Sequence, residues 1–153
     1  MKIILGVDES NCSNAAVAWV KRMPWPRDTR VVVVSVARPP VGVYAETYAP
    51  PMPLYEQVME DQVRHHLEVA TKVEGALQTA GLGAEARVAE GDPRVALLDT
   101  ARTERADMIV IGSHGRTGIS KMLLGSVANH VVTHAPCTVV VVKTGESGAR
   151  TAA

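Results

Sequence analysis

A cluster of glycines separated by polar residues lies in the last third of the chain. Gly112, Gly115 and Gly118 follow an apolar run, and Gly125-Ser126 comes a short distance later. Glycine lets backbone N–H groups approach an anion without a Cβ atom in the way, and the start of a helix adds the positive end of its dipole. The pattern therefore predicts a phosphate-binding loop. Glycines that only make turns are the alternative, which the glycine spacing alone leaves open.

A carboxylate ends the first apolar run of the chain. In an open parallel sheet, ligands bind beyond the carboxyl ends of the strands, where the winding direction reverses. If the first and fourth strands are neighbours, Asp8 and Gly112 flank one crevice. Asp8 is then placed to accept hydrogen bonds from ribose hydroxyls, as a carboxylate does in dinucleotide sites. An N-cap or Asx-turn role is the alternative for this residue.

The five histidines of the chain are candidate ligands or acid–base groups. His114 lies inside the glycine cluster, and we expect it beside the ligand without a catalytic role, a solvent-facing position being the alternative. His65 and His66 stand among charged residues of a helical segment and are predicted to lie on the surface. His130 and His134 have the i,i+4 spacing of two zinc ligands on a helix, but a third ligand is not evident and we expect no metal site.

The elements that position these residues alternate along the chain. Apolar runs predict strands at residues 3–8, 31–36, 84–89, 108–111 and 137–142, the third of them at a sheet edge. Helical periodicity predicts four intervening helices, the second over 54–80 and the fourth over 120–134. The second strand is β-branched and nearly unbroken, as is typical of a strand buried on both faces. The order predicts an α/β fold, a single-domain open five-stranded parallel sheet with helices on both faces.

Capping residues and prolines set the predicted ends of the helices. Ser13 is the predicted N-cap of the first helix, and Pro24 ends it. Gly81 fits the C-terminal stop of the second helix. Asp92-Pro93 supplies an N-cap followed by proline at the first position of the third helix.

Composition sets the class of protein. The 153 residues are 46% hydrophobic and carry 16 Lys plus Arg against 16 Asp plus Glu, which predicts one domain without a basic field for nucleic acid or an anionic membrane. No apolar stretch approaches the length of a spanning helix, and we expect a cytoplasmic protein. Cys12 and Cys137 match no metal or disulfide pattern and are expected to be reduced thiols. We expect the domain to cover 1–143, with a mobile proline-rich loop at 38–53 and a frayed tail at 144–153.

The residues around the glycine cluster resemble a known family. Gly112-x2-Gly115-x9-Gly125-Ser126 is similar to the full ATP-binding signature of universal stress proteins, and the Val7-Asp8 strand end and the closing run 135–142 resemble theirs as well. The likeness extends over nearly the whole chain. It implies a Rossmann-like fold of the adenine nucleotide alpha hydrolase type, with strand order 3-2-1-4-5.

The resemblance also implies a role for each matching position. Adenine is expected to contact the backbone at two strand ends, the ribose to bond to Asp8, and the nucleotide to rest on Ile111. The implied adenine contacts are Gly6, Val7 and Val36. The implied phosphate-loop residues are Gly112, His114, Gly115, Arg116, Gly125, Ser126 and Val127. Some ATP-binding relatives have proline where this chain has Gly6. Mg²⁺ or Mn²⁺ often accompanies the triphosphate in the family, but this sequence shows no carboxylate cage for it.

The function that the resemblance implies is an ATP-binding sensor or adaptor in a stress response. It also implies a homodimer, which we expect to form through the apolar strand Thr138–Val142. A slow ATPase or nucleotidyl-transfer enzyme on the same site is the alternative. Against an enzyme, the sequence has no Gly-x4-Gly-Lys-Ser/Thr loop, no evident second carboxylate for a metal and no convincing general base, so we assign no catalytic residue.

Overall fold

Strands and helices alternate along the part of the chain that the computed structural model describes, which is residues 1–39, 52–115 and 124–144. In chain order the elements are β1 (Lys2–Val7), α1 (Asn11–Arg22), β2 (Arg30–Ala37), α2 (Met52–Thr79), β3 (Gly83–Glu90), α3 (Pro93–Thr103), β4 (Met108–Gly112), α4 (Ser126–His134) and β5 (Thr138–Val142). Among the described helices, none is long and apolar enough to cross a membrane.

The strands form one parallel sheet in the order β3-β2-β1-β4-β5, as predicted. β1 lies between β2 and β4, with Leu5 paired to Val33 on one side and to Val110 on the other. The chain therefore reverses its winding direction at β1 and β4, and the carboxyl ends of these two strands border the same crevice. The sequence predicted that Asp8 and Gly112 flank one crevice if the first and fourth strands are neighbours. The pairing of β1 with β4 confirms that these strands are neighbours.

Alternate residues of the central strands pack against helices on opposite faces of the sheet. On one face, Ile4 and Ile109 pack in a cluster that includes Leu98 of α3 and Val131 of α4. On the other, a second cluster contains strand residues such as Leu5 together with side chains of α1 and α2. This two-sided burial explains the unbroken β-branched run of β2, since both of its faces are covered.

Two predicted helix starts are wrong. The N-cap of α1 is Ser10, whose Oγ accepts a hydrogen bond from the Ser13 N–H at 3.1 Å. Ser13 itself is buried in the first turn, where its Oγ accepts from the Asp8 N–H. The start of α4 was predicted at residue 120, but the helix begins at Ser126 with Gly125 as N-cap. The Gly125 N–H donates to the Ser113 carbonyl at 2.8 Å, so at this point the chain bonds to the β4 turn and not to its own helix.

Other predicted boundaries are confirmed. α1 ends at Arg22, before Pro24, and Gly81 has the left-handed φ of 84° that suits glycine after a helix. Asp92 caps α3 by accepting from the Arg94 N–H, with Pro93 as first residue of the helix. From the predicted mobile loop, residues 40–51 lie outside the described part of the chain, and so do residues 145–153 of the predicted frayed tail.

Candidate functional site

The carboxylate of Asp8 is held by the turn between β1 and α1. Its Oδ1 accepts hydrogen bonds from the Ser10 N–H at 3.1 Å and from the Ser10 hydroxyl at 2.6 Å. Glu9, between them, has a left-handed φ of 63°. The Asx turn that the sequence left open therefore exists, and it fixes the direction of the carboxyl group at the end of β1.

The loop after β4 lies directly against this carboxylate. A Cβ atom added to Gly115 would come within 2.7 Å of Asp8 Oδ2. The carbonyl oxygen of His114 lies 3.2 Å from the Ser10 Oγ, a second close approach between the two loops. The structure thus brings Asp8, His114 and Gly115 together, and a side chain at residue 115 would collide with the Asp8 carboxylate.

Gly112 is required by the packing of α1. A Cβ atom at this position would lie 2.6 Å from the backbone carbon of Cys12 and 2.8 Å from the backbone nitrogen of Ser13. The first turn of α1 therefore rests on the end of β4. One glycine of the cluster has a packing role that the sequence did not reveal, and this role also brings the start of α1 close to the crevice.

The start of α4 packs beside the loop that follows β4. Gly125 is the N-cap but has no side chain, so it offers no side-chain hydrogen bond to the first turn, where the N–H groups of Ser126 and Val127 have no intrahelical acceptor. Gly125 also packs closely on the β4 loop, because an added Cβ atom would lie 3.2 Å from the Ser113 carbonyl oxygen. Its N–H is already bonded to that same oxygen. The N–H groups of Ser126 and Val127 are therefore better placed than that of Gly125 to bind an anion.

A cleft of about 490 Å³ opens beside the start of α4. It is lined by Arg38, Pro39, Gly91, Asp92, Pro93, Arg94, Ser126 and Val127. The Arg94 side chain hydrogen-bonds the Asp92 carboxylate, and this contact lowers the pKa of Asp92 from 3.8 to about 2. Of the predicted site residues, Ser126 and Val127 line this cleft, whereas the sequence patterns do not point to Arg38, Asp92 or Arg94. Their position just after the carboxyl ends of β2 and β3 is the signal that would have found them, because all parallel strands end at one edge.

Of the predicted adenine contacts near the ends of β1 and β2, Val7 and Val36 are almost completely buried, and Gly6 is partly buried. Val7 and Val36 are 5% and 8% exposed, so they can offer a ligand little more than backbone groups. Ile111 is 4% exposed, and its Cγ2 would lie 2.9 Å from a Cβ atom added to Gly6. Glycine at position 6 is therefore matched to Ile111. Arg116, the remaining predicted phosphate-loop residue, lies outside the described part of the chain.

One of the histidine predictions is wrong. His66 is only 7% exposed, and its Nδ1 lies 2.7 Å from the hydroxyl of the fully buried Ser35. The helical pattern did not reveal this because α2 packs on β2 and brings the side chain against a polar strand residue. His65 is exposed, as predicted, and its Nε2 lies 3.0 Å from the Glu9 carboxylate.

The histidines of α4 contact each other. The rings of His130 and His134 are stacked at 4.2 Å between centroids, and His134 Nδ1 lies 2.9 Å from the His130 carbonyl oxygen. Over residues 1–39, 52–115 and 124–144, no group of three or more His, Cys, Asp or Glu side chains is arranged to hold a metal ion.

Both cysteines are free thiols and differ in environment. Cys12 Sγ lies 3.5 Å from the Ser113 hydroxyl. Burial, the largest single effect, raises the pKa of Cys12, but hydrogen bonds from Ser113, Thr144 and His114 together lower it below the ordinary value. Burial raises the pKa of Cys137.

The sheet order and the crevice at its carboxyl edge define a Rossmann-like α/β protein. The universal stress protein family model matches residues 1–143, and the chain belongs to this family. It is 34% identical over 143 residues to a universal stress protein of Thermus aquaticus, covering 92% of this chain and 97% of that protein. It is 31% identical over 144 residues to universal stress protein MJ0531 of Methanocaldococcus jannaschii, covering 93% and 81%.

Solved structures share the fold. Hypothetical protein MJ0577 superposes with a TM-score of 0.83 at 23% identity, covering 95% of this chain and 97% of that one. Among the solved universal stress proteins that hold nucleotides are the following two. One, from Arabidopsis thaliana with AMP bound, has a TM-score of 0.63 at 19% identity, covering 95% and 92%. The other, from Archaeoglobus fulgidus in complex with dAMP, has a TM-score of 0.63 at 22% identity, covering 94% and 98%.

Proposed function

We propose that this chain binds an adenine nucleotide, ATP in the cell, and that occupancy of the site controls its association with a partner in a stress response. The observation that carries the proposal is the contact between Asp8 Oδ2 and the Cα side of Gly115. The fixed carboxylate and the glycine loop therefore stand side by side at the carboxyl edge of β1 and β4. That pairing suits a ligand with hydroxyl groups beside phosphates.

Each part of the nucleotide has a matching group at this edge. The ribose hydroxyls would donate to Asp8, and the phosphates would accept from the N–H groups of Ser126 and Val127 at the start of α4. The base would lie toward the ends of β1 and β2, where the cleft at Arg38 begins. The AMP and dAMP complexes of the two family members support an adenine nucleotide as ligand.

A divalent ion would bind mainly through the phosphates. Mg²⁺ prefers oxygen ligands and keeps several waters, so it needs few protein groups when a triphosphate is present. Mg²⁺ or Mn²⁺ would therefore bind together with ATP. The ion would supply charge neutralisation, while this chain's own residues orient the nucleotide.

Titration calorimetry with ATP and AMP tests the proposal. We expect Asp8→Ala to lower the affinity for ATP and for AMP alike by about 10- to 150-fold, since a hydrogen bond to a charged group contributes about 1.5–3 kcal/mol. Ser126→Pro removes one N–H group at the first helical position, which tolerates proline, and should weaken ATP more than AMP. The exposed Asp99→Ala, on α3, is the matched carboxylate control. Native affinity in Asp8→Ala, or no binding by the unsubstituted protein, would refute the proposal.

Slow hydrolysis is the alternative that the sequence leaves open. Positioning without a second carboxylate or a general base gives little stabilisation of phosphoryl transfer, so we expect turnover below about one per second, under the usual range of kinases. A phosphate-release assay measures it. Faster turnover that Gly115→Val abolishes would establish an enzyme.

We further propose a homodimer through β5. This strand pairs with β4 on one side and is an edge strand of the sheet, with Val139–Val142 only partly buried. Apolar edges of this kind pair with other chains. Val140→Lys should give monomers in light scattering, whereas Lys143→Ala, just beyond the strand, should leave the mass unchanged. An unchanged dimer mass in Val140→Lys would contradict this interface. A cytoplasmic location stays a prediction.

A further inference from the structure

Two adjacent histidines of α2 are linked to the residues on either side of Asp8, His65 directly and His66 through Ser35. His66 Nδ1 lies 2.7 Å from the Ser35 hydroxyl, which donates to the Val7 carbonyl at 3.2 Å. His65 Nε2 lies 3.0 Å from Glu9 Oε2. Val7 and Glu9 are the neighbours of Asp8 in the chain. A single helix thus reaches both residues that flank the candidate ribose-binding carboxylate.

The direction of the buried contact follows from the tautomer of His66. The single proton of the Ser35 hydroxyl is directed at the Val7 carbonyl, 3.2 Å away. With Nδ1 protonated, His66 donates to the Ser35 oxygen at 2.7 Å, and this is the tautomer that we infer. Ser35 is fully buried and His66 is 7% exposed, so water cannot easily replace either bond. Removing one partner would leave a buried polar group unsatisfied. We call the two hydrogen bonds that link His66, Ser35 and Val7 the relay, and we expect it to hold α2 rigidly to β1.

The exposed contact acts on a backbone that needs support. Glu9 has a φ of 63°, which is uncommon for a residue with a side chain. Such a conformation persists only where the surrounding contacts hold it. The His65 contact is one of them. Because both groups are about half exposed, its effect is smaller than that of the buried relay.

We propose that His65 and His66 are positioning residues for the nucleotide site. They hold the residues on both sides of Asp8 and so set the direction in which its carboxylate meets the ribose hydroxyls. This inference rests on the proposed function, because it assigns Asp8 to the ribose. It gives α2 a role in binding although the helix supplies no group that touches the ligand.

Two substitutions at His66 separate positioning from general stability. The amide of asparagine can take the place of Nδ1 and donate to Ser35, whereas the longer glutamine places its amide where Nε2 was. Calorimetry would compare AMP with 2′,3′-dideoxy-AMP, which has no ribose hydroxyls for Asp8. We expect His66→Gln to weaken AMP by about three- to tenfold, one lost neutral hydrogen bond, and His66→Asn to stay near the native affinity. Dideoxy-AMP should bind all three proteins equally.

Matched variants complete the design. Ser35→Ala removes the hydroxyl between His66 and Val7 and should weaken AMP binding as much as His66→Gln does. The double variant Ser35→Ala/His66→Gln should bind AMP no more weakly than either single variant. His134→Gln, on the exposed end of α4, is the control and should bind normally. At His65 the contact uses Nε2, which the amide of glutamine can replace and that of asparagine cannot. His65→Gln should therefore bind AMP near the native affinity, and His65→Asn more weakly. Equal losses for AMP and dideoxy-AMP, or equal losses in His66→Asn and His66→Gln, would overturn the proposal.

A measurement without ligand distinguishes this inference from the proposed function. In NMR spectra of the free protein, the ¹⁵N shifts of His66 should show a protonated Nδ1, and His66→Gln should move the amide signals of Ser10 and Gly115. Unmoved signals would refute positioning even if the protein binds AMP. Absence of AMP binding by the unsubstituted protein would refute the proposed function, and the amide shifts would still decide whether the histidines hold the turn.

Discussion

Gly115→Ala tests the contact between the two loops of the site. The added methyl carbon would lie 2.7 Å from Asp8 Oδ2, whereas unstrained carbon–oxygen contacts are about 3.3–3.6 Å. The carboxylate would have to retreat by about 0.6–0.9 Å. That shift pulls Oδ1 away from the Ser10 hydroxyl and N–H, which it meets at 2.6 Å and 3.1 Å. The φ of Gly115 lies outside the left-handed region, so alanine meets no backbone strain there.

The expected cost falls on both stability and binding. Overpacking usually lowers the free energy of unfolding by about 1–3 kcal/mol, and we expect the lower half of that range because Asp8 is only partly buried. Affinity for AMP should fall by about tenfold or more as the ribose contacts are displaced. Urea unfolding followed by circular dichroism measures the first effect, and calorimetric titration with AMP measures the second.

Gly75→Ala is the matched control. This glycine lies inside α2, and an added Cβ atom would have nothing within 4 Å, so alanine should raise the free energy of unfolding by about 0.5–1 kcal/mol without changing affinity. If Gly115→Ala binds AMP with native affinity and unfolds like the native protein, the reasoning about the Asp8 contact is refuted.

Two further predictions concern the sheet and its ion pairs. Gly6→Ala should lower the free energy of unfolding by about 1–3 kcal/mol in urea titrations, because its methyl group would lie 2.9 Å from Ile111 Cγ2; a native midpoint would contradict the close packing. Hydrogen bonds from Lys2 and Arg87 lower the pKa of Glu104 from 4.5 to about 2. The ionised carboxylate therefore stabilises the fold above about pH 4.5, and this stabilisation is lost as the pH falls toward 2. The urea midpoint should fall less between these pH values in Glu104→Gln than in the native protein, and an equal fall would show that Glu104 is not responsible.

The fold could be predicted from the sequence because four strands are separate apolar runs and the third shows the alternation of a strand near a sheet edge. The β-branched run of β2 and the turn residues Gly81 and Asp92-Pro93 locate elements without any tertiary information. Which strands are neighbours came from the family resemblance, since local patterns carry no information on pairing. The approach of β1 to β4 then brings Asp8 to the glycine loop.

Parts of the site could not be predicted because they depend on packing between distant segments. The sequence does not show that Gly112 accommodates α1, while Gly115 accommodates a carboxylate. The start of α4 was placed too early because the bond from the Gly125 N–H to the Ser113 carbonyl is a tertiary contact. Charged neighbours along the chain predict a surface position for His66, yet its partner Ser35 comes from β2, which no local pattern reveals.

The central claim is that an adenine nucleotide binds at the carboxyl edge between β1 and β4. An AMP titration followed by amide NMR signals tests it most directly. We expect the largest shifts at Ser10, Gly115, Ser126 and Val127, with little change at Thr79 and Thr103, where α2 and α3 end. No shifts at saturating AMP, or shifts confined to residues outside this edge, would contradict the account.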